Sequence, residues 1–209
     1  AYEWVESSNE VYETNSDVII GRPDRTYIGG MRFTSLSLPA GAIIDSAFIL
    51  VDDGGGANIS SVDIFGEKVT SPLAYSDVNI ISSRTLTTSK TQFDFDFTTI
   101  TTNYQSPDIA TVVQEIVDAQ GAITELSLIL KNNAGSIAEA KFIAYDDKPL
   151  QAPRLQVYYQ APNNAAYHFL TEVETGDLPA TSNLTTAQYQ SSAFYAADVK
   201  DCQNDFGFY

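Results

Sequence analysis

Pairs of acidic residues near the ends of apolar stretches are the side chains of this chain best suited to bind a ligand. Asp52 and Asp53 precede three glycines, and Asp146 and Asp147 follow another apolar stretch, so both pairs offer carboxylates beside accessible backbone carbonyls. Calcium takes about six to eight oxygen ligands of these kinds. The sequence therefore predicts calcium as a cofactor, unless the acids only form solvated turns. The predicted metal ligands are Asp52, Asp53, Asp146, Asp147, Glu10 and Asp17.

Aromatic residues form the second group of candidate binding residues. The chain contains 12 tyrosines, 11 phenylalanines and one tryptophan, and exposed rings of these types stack on sugar rings. Trp4, Tyr158 and Tyr159 lie in predicted strands and are the predicted carbohydrate-binding residues. Because neighbours along a strand face opposite sides, we expect at least one of the two tyrosines at the surface. The alternative is that tyrosine simply suits strands, with its hydroxyl at the rim.

No catalytic constellation is recognisable, and we predict that the protein is not an enzyme. His168 is the one histidine and has no serine or cysteine nucleophile motif beside it, whereas a triad needs a positioned base. One histidine and one cysteine also argue against a zinc site of the usual four-ligand kind. A glycosidase needs two carboxyls about 5 to 9 Å apart, which a sequence with many acids does not single out.

The charge balance excludes several classes of partner. With 27 acidic and 11 basic residues, the formal net charge is -16 at pH 7. Such a surface repels nucleic acid and anionic lipid headgroups. No run of about 18 apolar residues occurs, so membrane insertion is not expected. The chain begins at Ala1 without a methionine, as it would after removal of an export leader or after any other cut. We expect an extracellular or cell-surface location.

Alternation of apolar and polar residues predicts that residues 1–160 form an all-β, jelly-roll-like antiparallel β-sandwich. A period of two places Phe93, Phe95 and Phe97 on one face of a strand, and Asp94 and Asp96 on the other. Turn-forming residues separate many short stretches of this type, as is typical of sandwiches. Nine strands are predicted, at 2–6, 17–20, 27–35, 43–52, 61–69, 91–98, 125–131, 138–145 and 154–159.

One short helix is predicted at 107–119, over one end of the sandwich. Ser106 can cap it, Pro107 suits the first helical position, and Asp108 lies where the helix dipole favours an anion. Gly121 follows as the expected C-terminal cap. The helix carries a single apolar stripe that we expect to face the core, formed by Ile109, Val112, Val113, Ile116 and Val117.

The composition changes after residue 160. Residues 161–209 are rich in Ala, Thr, Ser, Gln, Asn and Tyr, and have too little apolar bulk for a second core. We therefore predict a sandwich domain at 1–160 and a C-terminal extension at 161–209, which packs on its own domain or on a neighbouring subunit as an added edge strand. The residues expected to make assembly contacts are Phe206, Phe208, Tyr209 and Cys202.

One stretch of the sandwich domain resembles a known family. Residues 30–49, GMRFTSLSLPAGAIIDSAFI, resemble the segment GLRF…IPxGAxIxSAxI of DNRLRE-type domains, which are carbohydrate-binding-module-like β-sandwich domains of bacterial secreted proteins. The resemblance covers residues 5–159 in outline. Further similar stretches follow in the same order at 64–67, 83–87, 107–117 and 152–157.

The resemblance implies a non-catalytic jelly-roll sandwich on an exported protein, often joined to larger surface or polysaccharide-active chains. The family's motif has no counterpart of residues 161–209, and the two tryptophans that the family often carries are absent. The first hypothesis is therefore an extracellular structural or adhesive subunit of a surface layer, sheath or filament, which assembles with copies of itself through the extension. The alternative hypothesis is a carbohydrate-binding module that recognises a polysaccharide.

Overall fold

The computed structural model describes residues 1–6, 10–21, 26–55, 59–96, 102–133, 139–162 and 168–174, with the backbone alone at 59–60, 95–96 and 168–174. Within these residues the chain forms twelve strands, one α-helix and a 3-10 turn at Pro149–Gln151. The helix α1 spans Ala110–Gln120. The strands are β1 (Tyr2–Trp4), β2 (Glu10–Tyr12), β3 (Asp17–Ile20), β4 (Tyr27–Phe33), β5 (Ile43–Val51), β6 (Ile59–Glu67), β7 (Leu86–Asp96), β8 (Tyr104–Gln105), β9 (Leu126–Asn132), β10 (Ala140–Ile143), β11 (Arg154–Gln160) and β12 (His168–Glu174).

The described strands pair antiparallel and form two layers. One layer is a six-stranded sheet with the order β2-β1-β4-β9-β6-β7. The other layer holds a four-stranded sheet, β12-β11-β5-β8, and the pair β10-β3. An isolated bridge between Asp53 and Phe142 connects that pair to the end of β5. This architecture confirms the predicted all-β antiparallel sandwich with one short helix.

One large apolar core lies between the layers, and alternation along the strands builds it. On β11, Leu155, Val157 and Tyr159 are buried while the residues between them are half-exposed. On β7, Phe93 is buried and Asp94 is exposed, as the period of two predicts. The other phenylalanines of that stretch lie outside the described side chains. Burial of each such side chain contributes about 2 kcal/mol, which holds the layers together.

The helix begins three residues later than predicted. Its first residue is Ala110, and Ile109 takes the N-cap position without a side-chain hydrogen bond. The hydroxyl of Ser106, predicted as the cap, binds the backbone of β5 instead. Gly121 ends the helix as predicted, with φ 81° and a hydrogen bond back into the last turn. The apolar stripe of the helix is buried, also as predicted.

Eight of the nine predicted strands agree with the structure to within two residues at each end. The exception is β7, which starts at Leu86 and not at 91, because its polar first half pairs with β6 through the backbone. Three further strands, β2, β8 and β12, are not among these nine, although an added edge strand was expected in the extension without a position. β2 and β8 have three and two residues, which is too few for any periodicity to show.

Residues 104–115, here called the seam, close one side of the sandwich by binding the exposed edges of both sheets. The Ser106 hydroxyl accepts a hydrogen bond from Ile49 N–H of β5 at 2.9 Å, and Ser106 N–H donates to Ile49 O at 2.8 Å. Asp108 Oδ1 accepts from Ala47 N–H of β5 at 2.9 Å. The seam thus occupies backbone groups that a further strand would otherwise use.

Two adjacent side chains of α1 extend the seam to both sheets. Gln114 Oε1 accepts from Ile44 N–H of β5 at 2.7 Å. The two carboxylate oxygens of Glu115 accept from Ser89 N–H at 2.7 Å and Thr88 N–H at 2.8 Å, both on β7. These two hydrogen bonds lower the pKa of Glu115 from 4.5 to about 2. The helix therefore joins β5 and β7 through polar side chains as well as through its apolar stripe.

Acid should release the contact between Glu115 and β7. Because the pKa of Glu115 is depressed in the folded chain, its contribution to stability is present above pH 4.5 and is lost as the pH falls toward about 2. We expect Glu115→Gln to have a lower urea midpoint than the wild type near neutral pH. As the pH falls over that acidic range, the urea midpoint of the variant should decrease less than that of the wild type. Urea unfolding measured at several pH values checks this. If the urea midpoints of the two proteins differed by the same amount at every pH, the acid release of this contact would be contradicted.

Candidate functional site

The edge of the six-stranded sheet at β2 is also occupied by a side chain. Asp77 Oδ1 accepts a hydrogen bond from Val11 N–H at 2.8 Å. Asp77 belongs to residues 68–85, here called the cover segment, which packs on the outer face of β1, β4 and β9. Tyr75 of this segment lies on Gly30 of β4, where an added Cβ would come within 2.6 Å of the ring. A side chain at position 30 would therefore displace the cover segment.

A second, smaller apolar cluster lies under the cover segment. Beside it, the buried carboxylate of Glu3 on β1 accepts hydrogen bonds from Ser82 N–H and from the Ser82 hydroxyl, both at 2.6 Å. These donors satisfy a carboxylate that would be costly to bury without them. Burial also raises the pKa of Tyr75. The cluster consists of Val11, Ile28, Tyr75, Ile81 and Ile129.

Arg84 fixes the cover segment from within. Its guanidinium pairs with Glu67 at 2.9 Å, and the two side chains are only 8% and 7% exposed. It also lies 5.0 Å from the centre of the Tyr75 ring. Its other hydrogen bonds go to backbone carbonyls of the cover segment, so its role is structural. These carbonyls belong to Leu73, Ala74, Asn79 and Ile80.

The outer face of β6 and β7, beside the cover segment, carries polar groups around one half-buried ring. The centre of the Phe65 ring lies 5.9 Å from the ammonium groups of both Lys90 and Lys131. Lys90 also pairs with Asp63 at 2.7 Å. Asn133 donates a hydrogen bond to the same carboxylate at 3.3 Å. Ammonium, carboxylate and amide groups are thus held together on one sheet surface.

Hydrogen bonds continue this network along β7. The Gln92 amide donates to both carboxylate oxygens of Asp94, at 2.9 and 3.0 Å, and accepts from Asn133 at 3.3 Å. Bonds from Ser61 and Gln92 lower the pKa of Asp94. The pattern of the sequence gives no hint of this surface, because the register of three separate strands assembles it. We call it the polar face; it comprises Asp63, Phe65, Lys90, Gln92, Asp94, Lys131 and Asn133.

The extension supplies the last strand of the four-stranded sheet. β12 pairs antiparallel with β11 over seven residue pairs, with Thr171 opposite Val157 at the centre. Among the described strands, β12 has a neighbour on one side only. Within the part of the chain that the structure describes, its other side is an edge of the kind that can accept another strand. The positions of β12 opposite the buried residues of β11 are Phe169, Thr171 and Val173.

The predicted calcium ligands Asp52, Asp53 and Asp17 lie near one turn after β5. Asp52 Oδ1 accepts a backbone N–H at 2.5 Å, and Asp53 Oδ1 accepts Gly55 N–H at 2.7 Å. Asp17 is close by, since a Cβ added at Gly54 would lie 2.6 Å from Asp17 Oδ1. Two of these carboxylates thus already have partners in the backbone.

The other predicted ligands lie elsewhere in the chain. Glu10 on β2 accepts a hydrogen bond from the Tyr12 hydroxyl at 2.9 Å. Asp146 and Asp147 lie in the turn after β10, where Asp147 is 3.9 Å from Lys148. Within the described residues, no three or more His, Cys, Asp or Glu side chains form a group that could hold a metal ion. Calcium binding stays a prediction from the sequence.

The three predicted carbohydrate-binding residues do not form one platform. Tyr159 is buried, and its hydroxyl donates to Ser37 O at 3.1 Å, so its ring belongs to the core and is not free to stack on a sugar. Alternation along β11 leaves Tyr158 half-exposed, 6.5 Å from the Phe48 ring. Trp4 lies in the other layer, 6.3 Å from the Tyr27 ring.

The predicted assembly residues Phe206, Phe208, Tyr209 and Cys202 lie outside the described residues. The part of the extension that the structure describes beyond residue 162 is β12. Its first residue is His168, which the sequence analysis examined only as a catalytic residue. An added edge strand was expected in the extension, but its weak alternation of apolar residues did not place that strand at His168–Glu174.

Comparison with known proteins gives no family for the chain. No model of a known protein family matches it, and no curated protein is significantly similar to it. In the part of the chain that the structure describes, no helix combines the length and the apolar character needed to cross a membrane. The resemblance to DNRLRE-type domains stays a prediction from motifs, and the function must be argued from the geometry.

Removal of Arg84 should destabilise the domain strongly. Arg84→Ala leaves the carboxylate of Glu67 buried without its cation, which typically costs about 3 kcal/mol of unfolding free energy or more. Arg32→Ala is a matched control, because the Arg32–Glu125 pair is also 2.9 Å long but its side chains are 30% and 25% exposed. We expect Arg32→Ala to lower the free energy of unfolding by about 1 kcal/mol. Denaturant unfolding measures both, and equal losses would contradict the structural role of Arg84.

Proposed function

We propose that the protein is a non-catalytic extracellular structural or adhesive subunit that assembles with copies of itself through its extension, residues 161–209. The observation that carries this proposal is the way in which the strand edges are occupied. At β2, β5 and β7, side chains of the domain itself bind the backbone at the edge. Beside β11, a strand of the extension occupies the edge.

Edges that side chains occupy do not easily accept another strand, whereas an edge strand invites one. The extension therefore offers backbone groups to a second copy through β12; among the described strands, β3 also has a neighbour on one side only, β10. The residues after Glu174 provide the aromatic groups that the sequence predicts as further contacts. Aromatic residues are enriched at the centre of protein interfaces.

Calcium is part of this proposal, as an ion that would stiffen the acidic turns at the ends of β5 and β10. Two of the predicted ligands support it, because Asp17 and Asp53 both lie beside Gly54 in the turn after β5. A net charge of -16 also keeps a protein soluble in the saline setting of an exported protein. The mass of the particles, measured by light scattering with and without a chelator, tests the role of the ion.

Removal of the extension should abolish assembly without unfolding the domain. Both apolar clusters lie within residues 1–161, so we expect a chain of residues 1–160 to give a cooperative unfolding transition and a monomeric mass. A chain of residues 1–174 is the matched control, because it keeps β12 and lacks the rest. Sedimentation measures the mass of the particles that each of the three chains forms: residues 1–160, residues 1–174 and the full length. A folded 1–160 chain that still assembles, or a full-length chain that is monomeric at every concentration, would overturn the proposal.

The second candidate function is binding of a polysaccharide, and the polar face favours it. Sugar hydroxyls form hydrogen bonds with planar amide and carboxylate groups, which Asn133, Gln92 and Asp63 provide on one surface. The Phe65 ring and two lysines add an apolar contact and positive charge. This surface takes the place of the predicted site of Trp4, Tyr158 and Tyr159, since Tyr159 of that site is buried.

Changes on the polar face separate this candidate from the first. If the face binds a polysaccharide, Lys131→Ala and Asn133→Ala should each lower retention in affinity electrophoresis through gels that contain neutral or carboxylated polysaccharides. Lys141→Ala is the control, because Lys141 pairs with Glu139 away from this surface, on β10. An absence of retention for the wild type with every polysaccharide would eliminate this candidate and leave assembly untouched.

A further inference from the structure

We propose that two copies of the protein pair through β12, antiparallel and about a two-fold axis, so that two four-stranded sheets become one continuous eight-stranded sheet. This inference rests on the proposed function, because it names the contact through which the extension joins two copies. Among the strands that the structure describes, β12 lies at the end of its sheet, with β11 on one of its two sides. In a two-fold pair, the second side of each β12 would bind the second side of the other.

The faces of β12 restrict the registers that such a pair can adopt. Phe169, Thr171 and Val173 lie on the core-facing side, because they are opposite buried residues of β11. Residues directly opposite each other in neighbouring strands lie on the same face of a sheet. A continuous layer therefore requires that core-facing positions meet core-facing positions. In a two-fold antiparallel pair, the axis passes either between two copies of the same residue or between two copies of the same peptide bond. Only the first arrangement places core-facing positions opposite core-facing positions.

Among these registers, the one centred on Thr171 uses the whole strand. All seven residues of β12 then find a partner, and no carboxylate faces another carboxylate. An axis at Glu172 would oppose two glutamates, which is destabilising. An axis at Leu170 would leave the last two residues of β12 without a partner in the opposite β12. The pairs centred on Thr171 are His168–Glu174, Phe169–Val173, Leu170–Glu172 and Thr171–Thr171.

The types of these pairs are those that stabilise antiparallel sheets. An aromatic residue opposite a β-branched residue, and threonine opposite threonine, are favourable cross-strand pairs. The ends of the strand bring an imidazole opposite a carboxylate. The sequence of β12 is thus complementary to itself when it is read in the opposite direction. A closed pair gives a dimer, so growth into a filament needs a second contact from residues after 174.

Charge changes at position 170 test the pairing in the full-length chain. Position 170 lies on the outer side of β12, opposite Glu172 of the other copy. By symmetry, this pair occurs twice in each dimer. Leu170→Lys should therefore tighten the dimer and Leu170→Glu should weaken it, with dissociation constants on the order of tenfold apart. Sedimentation equilibrium measures both. Equal dissociation constants, or the opposite order, would overturn the pairing.

Disulfide cross-linking tests the register directly. In a Cys202→Ser background, Thr171→Cys places two cysteines opposite each other across the axis, at a distance that a disulfide spans. We expect a disulfide-linked dimer after mild oxidation, reversed by reduction. Leu170→Cys alone should give no disulfide-linked dimer. When it is mixed with Glu172→Cys, a disulfide between the two variants should form.

The outcomes distinguish failure of this inference from failure of the proposed function. Assembly of the full-length chain without a Thr171→Cys cross-link, or equal cross-linking of Thr171→Cys and Leu170→Cys, would overturn the two-fold pairing and leave assembly through the extension standing. A monomeric full-length chain would overturn both. A cross-linked dimer specific to position 171 supports the pairing in the stated register.

Discussion

Backbone N–H and C=O groups at the rims of the two sheets set the main constraint on this structure. A sandwich does not close on itself, so its outer strands expose polar groups that need partners. The domain meets this need with side chains from two segments, the seam and the cover segment, which bind β5, β7 and β2. The side chains that do so are Asp77, Ser106, Asp108, Gln114 and Glu115.

This use of side chains also explains part of the acidic composition. Carboxylates of residues as distant in the chain as Glu3, Asp52, Asp77 and Glu115 accept backbone N–H groups. A carboxylate suits this task because it has two oxygens and no donor, and because its bonds to N–H groups are strong. Of the acids predicted to bind calcium, Asp52 and Asp53 accept backbone N–H groups in this way.

The alternating strands could be predicted from the sequence because each buries one face, as Leu155, Val157 and Tyr159 do on β11. The start of the helix could not, because the hydroxyl of Ser106, the predicted cap, binds β5, which is distant in the chain. Asp108 Oδ1 accepts both from Ala47 N–H of β5 and from Ala110 N–H, the first residue of the helix. The polar face was missed for a similar reason: the lysines that flank Phe65 come from β7 and β9 and meet only through the register of the sheet. An edge strand was expected in the extension, but the mixed polarity of β12 did not show at which residues it begins and ends.

The central claim is that side chains of the domain occupy its edges at β2, β5 and β7, and our proposal is that β12 pairs with a second copy. Amide hydrogen exchange of the full-length chain at increasing protein concentration tests it most directly. The account predicts that Val11, Ala47, Thr88 and Ser89 are protected equally at every concentration, whereas the amides of β12 gain protection as the concentration rises. Protection at β2 or β7 that rises with concentration, while β12 stays unchanged, would contradict it.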